Sequence, residues 1–370
     1  MKVLIISSYS RLGGGEISLS QFVTHRPSDV EAEILLLEDG PLRSHLEGEV
    51  PIWSARGYGG RPNPAKLASF SRSMAAVLRK SQPDAALAVG LKAAVMAVPA
   101  CRVAGVPLVW RKIDFSLDAL VAVPLAAVVR GVVSVSDAVA DALGPMRARK
   151  SLAVVGVPIR LPPDLDIVPR HNPPAIGTLA SFLPIKGQRH IIEAAGLLSQ
   201  EFPELRVILA GSPSSSYPTY PAQLRRVAEN LGLADRLEMT GFVDDVTEIL
   251  ARLTVFVNAT HRDRRGFGGE GLGGATIEAA WAGLPVVATT GGGSSEAMQA
   301  DVTGTLVNPG DPAAIARAVV PYLRDHALAR KTGQAGRRFA REHFSPSAIA
   351  AQLFEALREI SSDGRDRAKS

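Results

Sequence analysis

The chain of 370 residues is 46% hydrophobic and 21% charged, with 41 Lys and Arg against 36 Asp and Glu for a net charge of +5. That is enough apolar material for two cores at about 100–200 residues per domain. So mild a charge argues against a nucleic-acid binder. Average Gly and Pro contents exclude a collagen-like chain, and a single cysteine, Cys101, excludes an internal disulfide and a multi-cysteine zinc site. One cysteine fits a reducing compartment, so the cytoplasm is the expected setting.

The opening Met1-Lys2-Val3-Leu4-Ile5-Ile6-Ser7-Ser8 has one positive charge and too short an apolar run for a signal sequence. It reads as a first strand, Lys2–Ser7. Further strands are expected at Glu31–Leu37, Ala85–Val89, Leu108–Arg111, Val132–Ser136 and Ser151–Val155, alternating with helical patterns. Continuous apolar strands separated by helices imply a parallel sheet covered on both faces. Lys92 interrupts Ala85–Ala100, while Pro124 and Arg130 interrupt Ala119–Val135, so both read as buried core rather than membrane spans. The pattern breaks at Pro158–Pro174, where six prolines stand among charged residues. The boundary placed there gives domains over 1–160 and 161–344.

A second series of strands is expected at Ala175–Leu179, Leu205–Ala210, Arg236–Thr240, Val255–Asn258, Pro285–Thr289 and Gly304–Val307. Gln188–Leu198 and Ala222–Leu231 have helical spacing. Asp311-Pro312 opens a helix to Leu323, and Ser345-Pro346 opens another to about Ile360, each with a capping residue followed by proline. The fold class is α/β, with two doubly wound Rossmann-like domains.

Ligands of such sheets bind beyond the carboxyl ends of the strands, so chemistry is expected in the loops that leave them. Leu12-Gly13-Gly14-Gly15-Glu16 follows the first strand and precedes a helix expected to start near Ile17. Its glycines, Gly14 and Gly15 among them, let a backbone approach a ligand and a helix N-terminus face an anion; the alternative is a tight turn that needs positive φ. A dinucleotide fingerprint is disfavoured, because Ser18 stands where it needs glycine. A second glycine loop, Gly266 to Gly274, runs into helix-forming residues and carries Glu270, with Glu278 beyond it. The N-terminus of that helix, with roughly half a positive charge, suits a diphosphate. Alternatively, Glu278 is a solvated helix residue and Glu270 a surface charge. Leu183-Pro184-Ile185-Lys186-Gly187 offers a lysine suited to phosphate oxygens, although a lone lysine is usually just solvated.

These segments, in this order, resemble the retaining GT-B glycosyltransferases, which have two facing Rossmann-like domains around a central cleft, and within them glycosyltransferase family 4. The most specific match is Glu270 to Glu278, a Glu-x7-Glu motif continued by Ala279-Ala280-Trp281-Ala282-Gly283-Leu284-Pro285-Val286-Val287. Lys186-Gly187, Thr240-Gly241-Phe242, Gly291-Gly292-Gly293 with Glu296, and Thr303-Gly304-Thr305 extend it over most of Ala175–Ser345. Gly13–Glu16 and Val135-Ser136 onward to Val139 match more loosely. The resemblance implies a glycosyltransferase that takes a sugar from a UDP or GDP type donor to a hydroxyl acceptor, with retention and without a metal or other cofactor. The acceptor is a sugar, a lipid-linked sugar or a small molecule. Glu278 would hold the donor ribose and Lys186 the diphosphate. Glu270 would face the sugar beside the amides of Gly271, Leu272, Gly273 and Gly274, with Gly14 and Gly15 also on the donor. The loop of Gly241, Phe242 and Val243 would hold the base. The C-terminal helix, 345–361, is expected to pack back on the first domain.

Two departures stand out. Ser181 occupies the position of a cationic clamp arginine in many relatives, and the insertion His261-Arg262-Asp263-Arg264-Arg265 is the candidate replacement. Where many relatives have His-Asp, this chain reads Arg111-Lys112-Ile113-Asp114, so Ile113 replaces the histidine. Asp114, with Arg111 and Lys112 as alternatives, is the candidate catalytic residue on the acceptor side. The one Asp-x-Asp, Asp164-Leu165-Asp166, lies in the proline-rich linker. Arg56, Arg61, Lys66, Arg72, Arg79 and Lys80 have no acid between them and form a candidate contact with an anionic inner membrane face, against the alternative of a solvated helix face. A nucleotide-sugar epimerase on the same scaffold and a non-catalytic nucleotide-sugar or glycan-binding protein are the competing readings.

Overall fold

The computed structural model describes residues 1–8, 13–55, 64–115, 118–149, 151–162, 164–262 and 268–362. They divide into two units, Met1–Arg160 with Ser345–Ser370, and Leu161–Phe344.

In the first unit seven strands form one parallel sheet: β1 (Lys2–Ser7), β2 (Glu31–Leu36), β3 (Ile52–Ser54), β4 (Ala85–Val89), β5 (Leu108–Lys112), β6 (Gly131–Ser134) and β7 (Leu152–Val154). Their order is β3-β2-β1-β4-β5-β6-β7, and Val3 of β1 lies in register with Ala32 on one side and Ala85 on the other. Both faces of β1 are buried, which is why Val3-Leu4-Ile5-Ile6 is apolar without alternation. One face meets Phe70, Met74 and Leu78 of the helix Pro64–Ser81. The C-terminal helix Pro346–Ser362 belongs to this unit. A side chain on Gly131 of β6 would stand 2.4 Å from Ile360, so only glycine lets the helix lie this close.

The second unit holds β8 (Ala175–Leu179), β9 (Arg206–Ala210), β10 (Leu237–Gly241), β11 (Val255–Asn258), β12 (Val286–Thr289) and β13 (Gly304–Val307), all parallel, in the order β10-β9-β8-β11-β12-β13. The linker before β8 is strapped to the unit. Ile167 donates to the Ala282 carbonyl at 2.7 Å, and the Trp281 indole donates to that of Pro162 at 3.0 Å. Asp166 takes a bidentate pair from Arg330 at 2.9 Å and a further contact from Arg337, and those cations hold its carboxyl below the usual range. The Asp-x-Asp segment thus contributes Asp166 to packing.

Three sequence expectations are corrected. The helix after β1 starts at Gly14 rather than near Ile17, Gly13 caps it in extended backbone at φ −146°, and none of Gly13, Gly14 and Gly15 takes the positive φ of a tight turn. A short edge strand, β3, was not expected. Nor was the helix His326–His343, capped by Asp325, whose side chain accepts from Leu328 N–H at 2.9 Å. It packs on the helix Gly274–Ala282 so closely that a Cβ on Gly333 would meet the Gly283 carbonyl at 1.8 Å.

Candidate functional site

The second sheet changes its winding direction between the adjacent strands β8 and β11, and loops leaving such a pair splay apart to leave a ligand-binding crevice. Lys186 comes from the loop after β8, and Glu270 from the loop after β11. Backbone contacts lace the two loops together. His261 N–H donates to the Ile185 carbonyl at 2.9 Å, and Gly187, at φ +70°, sits so that a Cβ would stand 2.1 Å from the Ala259 carbonyl. Arg262 and Gly268 form an antiparallel bridge that closes the neck of the insertion. Of the candidate replacements for the clamp arginine, Arg262 is exposed at that bridge, and Arg264 and Arg265 lie outside the described residues.

Lys186 Nζ and Glu270 Oε2 pair at 3.0 Å, with both side chains mostly buried. The same oxygen receives the Thr260 hydroxyl at 3.0 Å and the Asn258 amide at 3.4 Å. Asn258, the last residue of β11, also donates to the Thr276 hydroxyl at 2.9 Å, and its side-chain Oδ1 accepts from the Thr260 backbone N–H at 3.1 Å. Burial pushes the Glu270 carboxyl up. The Lys186 charge and the hydrogen bonds from Lys186, Thr260 and Asn258 outweigh it and hold the group below the ordinary carboxylate range. From behind, Gly293 N–H donates to the Glu270 carbonyl at 2.8 Å. Glu270 is therefore no surface charge, and Lys186 no solvated lysine.

The glycine loop then turns through Gly273, left-handed at φ +93°, into the helix Gly274–Ala282. Gly273 has no side chain to cap that helix, so its first amides stay available to an anion at the sheet's carboxyl edge. Leu272 is buried beneath the loop, and Gly271 lies against Gly293, where a Cβ would meet its carbonyl at 2.2 Å. Glu278 is half-buried on the fifth residue of the helix. Ser181 keeps an exposed side chain, while its carbonyl accepts from buried Gln188 at 2.9 Å. At the end of β10, Gly241 takes φ +77°, Phe242 stands 44% exposed and Val243 is half-buried. Asn258 and Thr260 were missed from sequence. Their signal was two polar residues at the carboxyl end of an otherwise apolar strand.

In the first unit, Arg111 and Lys112 do not serve as ligand-facing cations. Arg111 is buried with its guanidinium on the Ser134 and Gly156 carbonyls, and burial brings it down to about 9. Lys112 is wholly buried and donates to the Asp114 carbonyl. Both alternate in a strand covered on two faces, so neither direction leads to solvent. Asp114 stays half-buried in the loop after β5. Gly14 and Gly15 are exposed in the first helical turn; a Cβ on Gly14 would meet nothing within 4 Å, and one on Gly15 only Ile113 at 3.8 Å. Glu16 folds back to accept the Gly13 and Glu16 amides, and burial pushes its carboxyl up against them. Arg56 and Arg61 lie outside the described residues. Of the other basic residues nearby, Arg72 donates to its own helix at Ala68, and Lys80 sits 5.1 Å over the Trp53 ring.

Residues 166–339 match the family model described as glycosyl transferases group 1. The chain carries a glycosyl transferases group 1 domain. Lys186, Glu270 and Glu278 all fall inside it. EpsD of Bacillus subtilis is 34% identical over 155 residues, 42% of this chain and 38% of that protein. The GDP-mannose-dependent alpha-(1-6)-phosphatidylinositol monomannoside mannosyltransferase of Mycolicibacterium smegmatis is 31% identical over 228 residues, 59% and 58% of the two chains. The matches thus span about half the length of such relatives. Among solved structures, Anabaena HepE in complex with UDP-glucose superposes with a TM-score of 0.82 at 23% identity, covering 97% of this chain and 100% of that one. That likeness extends the GT-B fold beyond the group 1 domain to both units.

Proposed function

We propose that the chain is a retaining glycosyltransferase that moves a sugar from a nucleoside diphosphate donor of the UDP or GDP type to a hydroxyl acceptor, without a metal. The observation that carries this reading is the Lys186–Glu270 pair at the mouth of a glycine turn into a helix N-terminus. The anomeric carbon–oxygen bond breaks with its electron pair going to the diphosphate. Lys186 and the amides from Gly274 onward stabilise that charge. Glu278 accepts the ribose hydroxyls, Glu270 addresses the sugar, and Gly241, Phe242 and Val243 bound the base. Gly14 and Gly15 need glycine neither for φ nor for packing among the described residues, which supports backbone approach to the donor. Asp114 is the acceptor-side candidate. UDP-glucose with HepE and GDP-mannose with the mycobacterial mannosyltransferase motivate the two donor types. We place the protein in the cytoplasm; among the described residues no helix is long and apolar enough to cross a membrane. Peripheral contact through Arg56–Lys80 belongs to the proposal on charge alone, and sedimentation with anionic vesicles at low salt checks it.

A thermal-shift panel of UDP, GDP, ADP and dTDP sugars tests the reading, since a donor at about 100 times its Kd stabilises by roughly 2.7 kcal/mol. The matching donor is then supplied with acceptors in EDTA, and the anomeric configuration of the product is read. Transfer with retention at an unchanged rate is expected, because a helix N-terminus and a lysine can carry the diphosphate charge. A rate abolished by chelator and restored by Mg²⁺ overturns metal independence. Donor binding without transfer leaves a binding protein, and a changed donor sugar without acceptor an epimerase.

A further inference from the structure

The carboxyl edges of the sheets account for the donor loops. On the opposite, amino edge of the first unit, a cavity of about 480 Å³ opens where the chain enters β5 and β6, beside the last turn of the helix Pro346–Ser362. Its charged lining among the described residues is Arg102, Arg130 and Arg149, and none of those lining residues is a carboxylate. Three guanidinium groups gathered around one hollow repel one another until an anion joins them. Part of their capacity is used by the fold. Arg130 Nε donates to the Ile360 carbonyl at 3.1 Å, and one Arg149 nitrogen donates to the Ala126 carbonyl. Each guanidinium has five N–H donors, so most remain for a ligand.

A second observation points into the same hollow. Ser361 lines it, is only 6% exposed, and its hydroxyl has no hydrogen-bond partner among the described residues. A buried hydroxyl without a partner is costly, and such groups in folded proteins are satisfied by something. Capping of helix C-termini explains one N–H each of Arg130 and Arg149. It explains neither Arg102 nor the Ser361 hydroxyl.

We propose that this hollow is a phosphate-binding site, taking a phosphate monoester or diester whose oxygens meet Arg102, Arg130, Arg149 and Ser361. Planar guanidinium forks match phosphate oxygens, and Val106 and Val128 give the rest of the molecule an apolar wall. The site lies within the first unit and stands whether or not the chain is a transferase.

Calorimetry on the full chain at low ionic strength, with inorganic phosphate and with glycerol 1-phosphate, tests it beside sedimentation with phosphatidylglycerol and phosphatidylcholine vesicles. Arg102→Gln should weaken binding about tenfold, the loss of one charge-assisted contact. Ser361→Ala should weaken it several-fold at an unchanged or higher Tm, since it removes a hydroxyl that bonds nothing among the described residues. Heat with glycerol 1-phosphate that both variants reduce identifies a soluble ester. Binding only to phosphatidylglycerol vesicles, reduced by both variants, identifies a lipid headgroup. No binding in either arm, or binding that both variants retain in full, overturns the proposal.

Discussion

Glu270→Ala should lower sugar transfer about a hundredfold or more while leaving the bare nucleoside diphosphate bound as tightly as in the parent, or more tightly. The carboxylate is the partner of Lys186 at 3.0 Å, and a diphosphate that takes Lys186 competes with it. Removing Glu270 therefore removes a competitor for the diphosphate together with the group facing the sugar. The same change strips partners from Thr260 and Asn258 and leaves a mostly buried ammonium unpaired, so the ligand-free variant should lose about 2 kcal/mol of stability. Nucleoside diphosphate should restore part of that loss. Glu278→Ala should behave differently. Without the acceptor for the ribose hydroxyls, diphosphate and donor sugar should both weaken, by roughly 1.5–3 kcal/mol. Calorimetry with the diphosphate and the donor, beside single-turnover kinetics, separates the two. Equal weakening of the bare diphosphate by both variants, or full activity in either, would mean that the motif serves the fold and not the donor.

Glu270 and Glu278 could be picked out as candidates because one glycine loop carries the first and the helix it enters carries the second, and a loop between an apolar strand and a helix can be read locally. Most strands were legible for a similar reason: buried on both faces, they are continuous apolar runs. What escaped depended on contacts distant in sequence. The edge strand β3 has three residues and is half-exposed, so it lacks the apolar run. The helix His326–His343 has a strongly polar outer face and buries small residues, among them Gly333 and Gly336, whose role appears only against Gly283 and Ala280 at the end of the helix Gly274–Ala282. Arg111 and Lys112 looked like site cations by position, yet their heads find carbonyls inside the unit. The grip of Asn258 and Thr260 on Glu270 joins strand end and loop across 10 to 12 residues, and no periodicity marks it.

The lacing of the two loops at Gly187 yields the other large effect. Gly187→Ala should cost the second unit about 3 kcal/mol and lower its Tm by about 8 °C, from a left-handed residue given a side chain and a clash that the neighbouring strand end must absorb. The clash is specific: the new Cβ would stand 2.1 Å from the Ala259 carbonyl and 2.7 Å from its Cβ, both directly after β11. Gly310→Ala is the matched control. Its φ of +75° is nearly the same as the +70° of Gly187, and a Cβ there would meet nothing within 4 Å, so it should show the backbone cost alone, about 1 kcal/mol. The difference between the variants isolates the contact between the loops. Relief of the clash pushes the loop away from β11, carrying Lys186 from Glu270, and a displacement of about 1 Å in a positioned group costs about a hundredfold in rate. Gly187→Ala should thus lose transfer at a temperature where it is still folded, and Gly310→Ala should keep it. Equal Tm losses in the two would show that β11 yields to the side chain without strain. Full transfer by folded Gly187→Ala would show that the separation of the two loops does not set the position of Lys186.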